Sequence, residues 1–444
     1  MILRAFFFDM DGVLFDSMPN HARAWENVAM RHSLDFTARD CYINEGRTGQ
    51  DVIAEALRKS GRTNVTEEEI WTIYREKTEE FHRLGGAPAM TGMKEVLNEI
   101  RVTDTPSCQS QIWVVTGSGQ KTLFDKLNEV YPGIFMRERM ITAYDVTHGK
   151  PAPEPYLKAW QRSGLPKEQC FVIENAPLGV RAGKAAGLFT IAVNTGPLTR
   201  QDLYNEGADM VLDDMGQLLT FIRLHSYVET QILPLYDTFD SAHNRQHALA
   251  VIQESLNLVR ELTLRQSPLN NRDLSAPLSA ASPLISYAIA ALHDVGLQTD
   301  REHHHLHSGT FVRRDAFLKT LFPADEIELM AQAVEDHRAS RPEPPRSIYG
   351  RIVAEADRML EPMTVIRRTV QFGCRHYPEL SEEEHIKRAI AHLNEKYGEK
   401  GYLRLWLDTA RNRQLLAQLR SMMTDTRQLQ TLLLRMLKEE KTAQ

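Results

Sequence analysis

Cysteine is scarce in this sequence, and long hydrophobic runs are missing. The four cysteines among 444 residues lie far apart and form no Cys-x-x-Cys pair, which argues against a disulfide framework and a thiolate zinc site. No apolar stretch approaches the roughly 20 residues that a transmembrane helix needs. The N-terminal apolar run reaches Asp9 too early for a signal peptide. We therefore expect a cytoplasmic protein that does not cross a membrane.

An excess of basic residues is also missing. The formal net charge is −6, whereas proteins that hold nucleic acid through its phosphates are usually basic, so stable nucleic-acid binding is not expected. Hydrophobic residues make up 42% and charged residues 25% of the chain, as in ordinary globular proteins. A chain of 444 residues is too long for one typical core, which predicts two or three domains.

Strand and helix signals alternate over residues 1–222. Short apolar runs rich in β-branched and aromatic residues predict five buried strands, at 4–8, 112–115, 170–173, 189–193 and 210–212. Such alternation is typical of a parallel sheet with crossover helices, so we predict an α/β Rossmann-like core. Charged helical sequence at about 17–88 interrupts the alternation and predicts a helical cap inserted after the first strand.

Helical patterns dominate residues 223–444, which predicts a separate all-α domain. A stretch rich in serine, proline and asparagine predicts a long loop at 266–283. Residues 413–438 are predicted to form one terminal helix, whose apolar face packs on the core or forms a homodimer contact.

Two aspartates follow the first predicted strand, in the run Phe8-Asp9-Met10-Asp11-Gly12. Residues i and i+2 of a strand point to the same side, and the carboxyl ends of parallel strands are where α/β sheets bind ligands. Two carboxylates there can hold a divalent cation, with one attacking phosphorus and the other moving a proton. Alone, so short a motif is equally typical of a strand that ends in a polar turn.

Three later segments place compatible side chains at or beside further strand ends. The run Thr116-Gly117-Ser118 follows the second predicted strand and offers a hydroxyl group to a phosphoryl oxygen. Lys150 lies in a turn, where its cation can offset the charge of a nucleophile and a phosphoryl group. Glu174-Asn175 ends another strand with the hard oxygen ligands that Mg²⁺ prefers. Their order along the chain favours one shared site.

These residues resemble the four motifs of haloacid dehalogenase-like phosphatases, and the resemblance covers about residues 1–222. The run 174–180, Glu-Asn-Ala-Pro-Leu-Gly-Val, is similar to the β-phosphoglucomutase branch. The resemblance implies that Asp9 attacks phosphorus and forms an aspartyl-phosphate, while Asp11 protonates the leaving group and then activates water. Thr116 and Lys150 would bind the transferring phosphoryl group.

The same resemblance implies a Mg²⁺ site, held by Asp9, the backbone carbonyl of Asp11, and Glu174 or Asn175. Many relatives have Glu-Asp where this chain has Glu174-Asn175. An asparagine still offers a carbonyl oxygen, but the site carries one negative charge less, which suits a more highly charged substrate.

The predicted cap contains the run Glu45-Gly46-Arg47-Thr48-Gly49. Glu45 can reach the metal when the cap closes, and Arg47 can hold a second phosphate; the alternative is an exposed loop with ordinary charges. Together with 174–180 and 194–198, the run resembles a bacterial subgroup that includes inorganic pyrophosphatases. A closed cap with an acidic ligand leaves little room for a sugar, so we predict pyrophosphate as the substrate. Small sugar phosphates, turned over by a phosphatase or a mutase, are the alternative.

Histidines and aspartates accumulate in the second part of the chain, a ligand set that suits Mn²⁺, Fe or Zn²⁺. They resemble the HD-domain metal-dependent phosphohydrolases, an all-helical family, over about residues 230–400. The resemblance assigns the metal-ligand signature to four residues: His247, His293, Asp294 and Asp357. For the binuclear branch it implies two further histidines, namely His337 and either His304 or His305.

The chain is thus predicted to be a bifunctional phosphohydrolase. The first domain acts on pyrophosphate or a small phosphomonoester, and the second acts on a nucleotide or another phosphoester. Two alternatives remain open for the second domain, a di-iron oxygenase and a module that binds a nucleotide and regulates the first domain.

Overall fold

The computed structural model describes residues 4–102, 110–118, 123–240, 243–265, 281–338, 343–407 and 409–443. The chain divides into two compact units, Met1–Thr230 and Gln231–Gln444. The domain boundary predicted between residues 222 and 223 falls inside the helix Met215–Tyr227. Most of the loop predicted over 266–283 lies outside the described residues. No helix in the described ranges is long and apolar enough to cross a membrane.

A six-stranded parallel sheet forms the centre of the first unit, in the order β3-β2-β1-β4-β5-β6. The strands are β1 Ala5–Phe8, β2 Gln111–Val115, β3 Met140–Ile141, β4 Cys170–Glu174, β5 Phe189–Val193 and β6 Met210–Leu212. Every residue of β1 is buried, as expected for a strand covered on both faces. The α/β prediction is confirmed, although β3 has only two residues and was too short to predict.

The register of β1 explains why the site forms. Phe8 pairs with Val114 of β2 and with Ile173 of β4. Since all three strands run in parallel, the residues that follow these pairs emerge at one edge of the sheet. Asp9 and Glu174 therefore become neighbours.

The ten α-helices in the described part of the first unit fall into two sets. Four occupy the predicted cap: α1 Met18–His32, α2 Ala38–Ile43, α3 Gly49–Lys59 and α4 Glu67–Arg83. Six accompany the sheet: α5 Met93–Val102, α6 Leu123–Val130, α7 Glu154–Ser163, α8 Pro177–Ala185, α9 Arg200–Asn205 and α10 Met215–Tyr227. After α4 the chain returns to the core through Gly85 and Gly86, both at positive φ, a conformation that glycine adopts without strain.

The described part of the second unit is helical and contains no strand, which confirms the all-α prediction there. Its helices are α11 Leu233–Tyr236, α12 Arg245–Arg265, α13 Pro283–Leu292, α14 His304–Arg314, α15 Leu318–Leu321, α16 Ala324–Asp336, α17 Ile348–Asp357, α18 Pro362–His376, α19 Glu382–Tyr397, α20 Ala410–Thr424 and α21 Thr426–Ala443. Helix α13 is buried along its whole length.

The prediction of one terminal helix over 413–438 is wrong, because α20 and α21 are separated at Asp425. The backbone of Asp425 has ψ 82°, outside the helical range, and its Oδ1 accepts a hydrogen bond of 3.0 Å from the Gln428 N–H. A short aspartate side chain favours such a cap over a continuous helix. Leu419 of α20 and Leu433 of α21 lie in the same buried cluster, so these helices do pack on a core.

Candidate functional site

Three buried charged side chains meet at the carboxyl edge of the sheet. The Lys150 ammonium donates to the Asp9 carboxylate, to Glu174 Oε1 at 2.6 Å and to the Val115 carbonyl at 3.0 Å. The Tyr156 hydroxyl donates to the same Glu174 oxygen at 2.5 Å. Burial, opposed by the charge of Lys150, raises the pKa of Asp9 to about 7. The site therefore holds a nucleophile candidate whose ionisation depends on its cationic neighbours.

Asp11 lies beside this group, on the turn that follows β1. The Ser17 hydroxyl donates to Asp11 Oδ1 at 2.5 Å, and burial raises the pKa of Asp11 against the effect of that hydrogen bond. Gly12 has φ +76°, and a Cβ there would lie 2.0 Å from the Asn175 Nδ2. Only glycine therefore fits between Asp11 and the end of β4.

Thr116 directly follows β2, at the same edge of the sheet. Its N–H donates to the Ile141 carbonyl of β3 at 2.9 Å, and its Oγ1 accepts from the Ser118 N–H at 3.0 Å. A Cβ on Gly117 would lie 3.6 Å from the carbonyl oxygen of Gly46. The cap loop thus passes close above the predicted phosphoryl-binding turn.

Glu45 extends from the cap into the site and meets Asn175. The Asn175 Nδ2 donates to Glu45 Oε2 at 3.0 Å. Glu45 Oε1 and Asn175 Oδ1 are buried and have no hydrogen-bond partner. Burial and then the charges of Asp9 and Asp11 hold the pKa of Glu45 well above its usual value.

These two oxygens test whether a divalent cation fits the site. Buried polar atoms without a partner are rare in proteins and call for an explanation. One is a carboxylate oxygen and the other an amide oxygen, and both are hard donors of the kind that Mg²⁺ prefers. The charges of Asp9 and Asp11 act on the same Glu45 carboxyl group. The residues present fit Mg²⁺.

Arg47 is the cap residue for which a contact with a second phosphate is predicted. Its guanidinium donates to the Glu55 carboxylate and to Asn44 Oδ1 at 2.9 Å, so in this conformation it is paired within the cap. Its contact with a second phosphate stays a prediction.

Other cations surround Asp11 instead. The Lys77 ammonium lies 2.7 Å from His21 Nδ1, and His21 Nε2 lies 3.8 Å from Asp11 Oδ1. Lys77 and Lys126 both act electrostatically on Asp11. Burial and the two lysine charges hold the pKa of His21 well below its usual value, so the ring is neutral near pH 7. Sequence reasoning missed all three because they are isolated polar residues on α1, α4 and α6, without a motif.

Binding of Mg²⁺ to this site is expected to depend on pH. The raised pKa values of Asp9 and Glu45 mean that both carboxyl groups hold protons in the metal-free protein at mildly acidic pH, and the cation must displace those protons. We expect the apparent Kd for Mg²⁺ to rise as pH falls below about 7, by about tenfold per pH unit if one proton is displaced and by about 100-fold if both are.

Titration calorimetry at pH 6 to 8 measures this effect, and Asp9→Asn identifies the part of the heat that belongs to this site. An Mg²⁺ affinity that stays constant over this range would contradict the argument.

Asp294 lies between two groups of histidines in the second unit. His247 and His293 form one group with it, and His304 and His337 form the other; within each group the ligand atoms lie within 4.8 Å of one another. Asp294 Oδ2 is 3.2 Å from His293 Nε2, while Oδ1 is 3.3 Å from His337 Nε2 and 3.4 Å from His304 Nε2. Each carboxylate oxygen therefore faces a different histidine pair, the arrangement that bridges two metals.

Three of the histidines are oriented in the same way. Each places Nδ1 against the backbone carbonyl three residues earlier, at 2.8 Å for His293, 2.8 Å for His304 and 2.5 Å for His337. Since such a bond fixes the proton on Nδ1, the Nε2 lone pair is left to bind a metal.

Buried polar atoms without a hydrogen-bond partner indicate whether a metal fits this site too. Asp294 Oδ2 and His247 Nδ1 are buried without a hydrogen-bond partner, and the Oδ2 lies 3.2 Å from His293 Nε2. Although burial raises the pKa of Asp294, the charges of His293 and His337 hold it well below its usual value. Although burial lowers the pKa of His293, the charge of Asp294 raises it to about 9. An ionised carboxylate among imidazole rings favours positive charge beside its oxygens, either protons on the rings or a metal ion that replaces them, so the residues fit a transition metal.

Asp357 and His305 are the remaining residues of the predicted metal-ligand set. Asp357, at the end of α17, has its Oδ1 3.1 Å from His247 Nε2. His305 belongs to neither metal-binding group; its ring centroid lies 5.7 Å from that of His304. Of the two histidines that the sequence left open, His304 is the one that lies against His337.

Tyr236 holds the backbone on which His293 and Asp294 lie. Its hydroxyl donates to the Ala291 carbonyl at 3.0 Å and accepts from the Asp294 N–H at 3.2 Å. Helix α13 ends at Leu292, so the two ligands project from its buried end.

Comparison with known proteins finds a different family for each part of the chain. A family model of haloacid dehalogenase-like hydrolases matches residues 3–187, and a model of the HD domain matches residues 245–361. Hexitol phosphatase A of Escherichia coli (strain K12) is 31% identical over 218 residues, which are 49% of this chain and 94% of that protein. Glycerol-1-phosphate phosphohydrolase 2 of Saccharomyces cerevisiae is 30% identical over 220 residues, 47% of this chain and 82% of that protein.

A solved structure described as a candidate β-phosphoglucomutase from Bacteroides vulgatus is 48% identical, with a TM-score of 0.44, and covers 48% of this chain and 85% of that one. The first of the two family models matches within the first unit, and the HD model matches a range of the second unit that includes His247, His293, His304 and His337. The chain is a hydrolase that belongs to the haloacid dehalogenase-like family and carries an HD domain in the second part of its sequence.

Proposed function

We propose that the first unit hydrolyses inorganic pyrophosphate in a Mg²⁺-dependent reaction. The observation that carries this proposal is the meeting of Glu45 with Asn175, because a cap carboxylate that reaches the site in this way leaves less room for a sugar. The cations near Asp11 support it, since the leaving group of pyrophosphate is itself a phosphate.

The side chains have distinct roles in this reaction. Asp9 attacks phosphorus to form an aspartyl-phosphate, and Lys150 offsets the charge of both groups. Asp11, whose pKa is raised by burial, delivers a proton to the leaving phosphate and then takes one from the attacking water. A bound Mg²⁺ would neutralise phosphoryl oxygens. Asp9, the Asp11 carbonyl, Glu45 and Asn175 are the residues that would hold it.

Sugar and polyol phosphates are the second candidate substrates for this unit. The relatives named above are a hexitol phosphatase and a glycerol-1-phosphate phosphohydrolase. A substrate of that kind would need the cap to open further, with Glu45 withdrawn from Asn175.

Replacing Glu45 with glutamine separates the two candidates. We expect Glu45→Gln to lower kcat/KM for pyrophosphate by about 10- to 100-fold, the usual effect of weakening a metal site, and to lower sugar-phosphate turnover less. Phosphate release with both substrates measures this, with Glu68→Gln on the exposed cap surface as the matched control. An equal or larger loss with sugar phosphates would favour the second candidate.

For the second unit we propose hydrolysis of a phosphoester, such as that of a nucleotide, at a binuclear transition-metal centre. The observation that carries it is Asp294, each of whose carboxylate oxygens faces its own histidine pair. Two metals would polarise the phosphoryl group and supply a hydroxide. Within the protein, Tyr236 holds the backbone of Asp294 in place.

Metal substitution tests this against an oxygenase and against a regulatory module. We expect full-length protein loaded with Mn²⁺ to hydrolyse bis-p-nitrophenyl phosphate without oxygen. Substrate oxidation that requires iron and consumes oxygen would instead indicate an oxygenase. Nucleotide binding without turnover by any metal form would indicate a regulatory module.

A further inference from the structure

A small cavity lies between α18, α19 and α21 of the second unit. Val370 of α18 and Leu433 and Leu437 of α21 line it with apolar side chains and belong to one buried cluster. Its volume is about 10 Å³, close to what a single water-sized group needs. Of the lining residues, only His385 and Arg388 of α19 have polar side chains. A ligand of this cavity is therefore small and meets two nitrogen-bearing side chains.

Both polar side chains carry a nitrogen atom without a partner. Among the described residues, His385 Nε2 and Arg388 Nε are buried and have no hydrogen-bond partner. His385 is only 4% exposed. Buried polar atoms of this kind are rare, and each calls for an explanation. Since positions i and i+3 of a helix are neighbours on one face, the two side chains can hold one ligand between them.

The guanidinium of Arg388 is not neutralised by a carboxylate. Its Nη2 donates to the Thr369 carbonyl at 2.5 Å, and its centre lies 5.8 Å from the ring centroids of Phe372 and Tyr377. Within the part of the chain that the structure describes, it forms no ion pair. Burial lowers the pKa of Arg388, because a buried charge without a counter-ion is disfavoured. An anion in the cavity would stabilise that charge.

The electrostatic surroundings of His385 are positive as well. Burial and the charges of Lys441 and Arg388 lower the pKa of His385. The opposing effect of the nearby acids Glu379 and Glu384 is smaller. Such surroundings favour a bound anion over a bound cation.

An anion suits the two nitrogen atoms better than a water molecule does. The Nε of an arginine always carries a proton and can only donate. A water molecule that accepts this bond still has two hydrogens of its own to donate. His385 Nε2 can accept one of them at most, and the apolar side chains of the cavity accept none. An anion accepts hydrogen bonds from both nitrogen atoms and has no hydrogens to place.

We propose that this cavity binds a monovalent anion of the size of chloride, held by His385 and Arg388 between α18, α19 and α21. A single-atom anion fits the space, whereas phosphate or a carboxylate with its carbon chain exceeds it. The site is independent of both activities proposed above. Because the anion binds only the folded arrangement of the three helices, it stabilises that arrangement.

Chlorine NMR of the full-length protein tests this site, because exchange with a bound state broadens the line of free chloride. Sodium gluconate keeps the ionic strength constant. We expect Arg388→Met and His385→Phe each to weaken chloride binding by about tenfold or more, the effect of losing a charged hydrogen bond. His385→Gln, whose amide can replace Nε2 as a donor, should retain most of the affinity. Lys387→Met removes an exposed charge of the same helix and is the matched control.

Chloride held elsewhere in the protein contributes equally to all variants, so the difference between Arg388→Met and Lys387→Met measures this site. Equal broadening in these two variants would overturn the proposal. Displacement of chloride by phosphate or acetate as effectively as by bromide would also overturn it, since the space would then exceed one atom. If Arg388→Met does not fold, equal broadening in His385→Phe and His385→Gln overturns the proposal instead.

Thermal unfolding gives a second readout. Chloride in place of gluconate is expected to raise the Tm of the unaltered protein and to raise that of His385→Phe less. A Tm of the unaltered protein that does not depend on chloride would contradict the proposal, because water would then fill the cavity.

Discussion

Asp9→Asn is expected to abolish phosphate release from pyrophosphate, with a loss of about 10⁴-fold or more in kcat. An amide has the shape of the carboxylate but cannot attack phosphorus, and the contact with Lys150 loses its charge. Because burial, and then the charge of Glu174, disfavour the ionised form of Asp9, the variant is expected to fold and to be at least as stable as the unaltered protein.

Initial-rate assays with Mg²⁺ measure this loss. Asp125→Asn, an exposed aspartate paired with Arg137, is the matched control and should retain full activity. Pyrophosphate turnover that survives in Asp9→Asn but disappears in Asp294→Asn would move the activity to the second unit.

Asp294→Asn is expected to remove both metals of the second unit and to lower its phosphodiesterase activity by about 10³-fold or more. Each oxygen of this carboxylate faces one histidine pair, so a neutral amide weakens both sites at once. His304→Ala, in contrast, removes a ligand from one group and should leave the group of His247 and His293 able to bind a metal.

Elemental analysis measures the metal content of each variant. The unaltered protein should exceed Asp294→Asn by two ions per chain and His304→Ala by one, in line with the two ligand groups. Asp300→Asn is the control, since this half-buried aspartate contacts His303 and His307 and belongs to neither ligand group. Equal metal content in Asp294→Asn and Asp300→Asn would contradict a bridging role for Asp294.

The acidic motif after β1 was predictable because it depends on strand periodicity and sheet topology alone. A buried apolar run with aspartates two residues apart fixes their common side, and the parallel register of β1 with β4 then brings Glu174 to the same edge. The histidine–aspartate ligands of the second unit were readable for a related reason. His293 and Asp294 directly follow a helix in which nearly all residues are apolar, so their burial follows from the sequence.

Features that depend on side-chain direction were not predictable. Successive helical residues point about 100° apart, so only the structure decides that His304 rather than His305 faces His337. Arg47 lies in the predicted loop, but its guanidinium is paired with the carboxylate of Glu55 on the next helix. The break at Asp425 depends on one capping hydrogen bond that competes with an otherwise helical pattern.

The comparison of substrates is the most direct test of the proposed first activity. The measurement is kcat/KM of the full-length protein with Mg²⁺ for pyrophosphate, a hexitol phosphate and glycerol 1-phosphate, under identical conditions. The closed contact between Glu45 and Asn175 predicts that pyrophosphate exceeds each of the others by at least about tenfold, equivalent to about 1.4 kcal/mol of transition-state binding. A hexitol phosphate or glycerol 1-phosphate turned over more efficiently than pyrophosphate would contradict it.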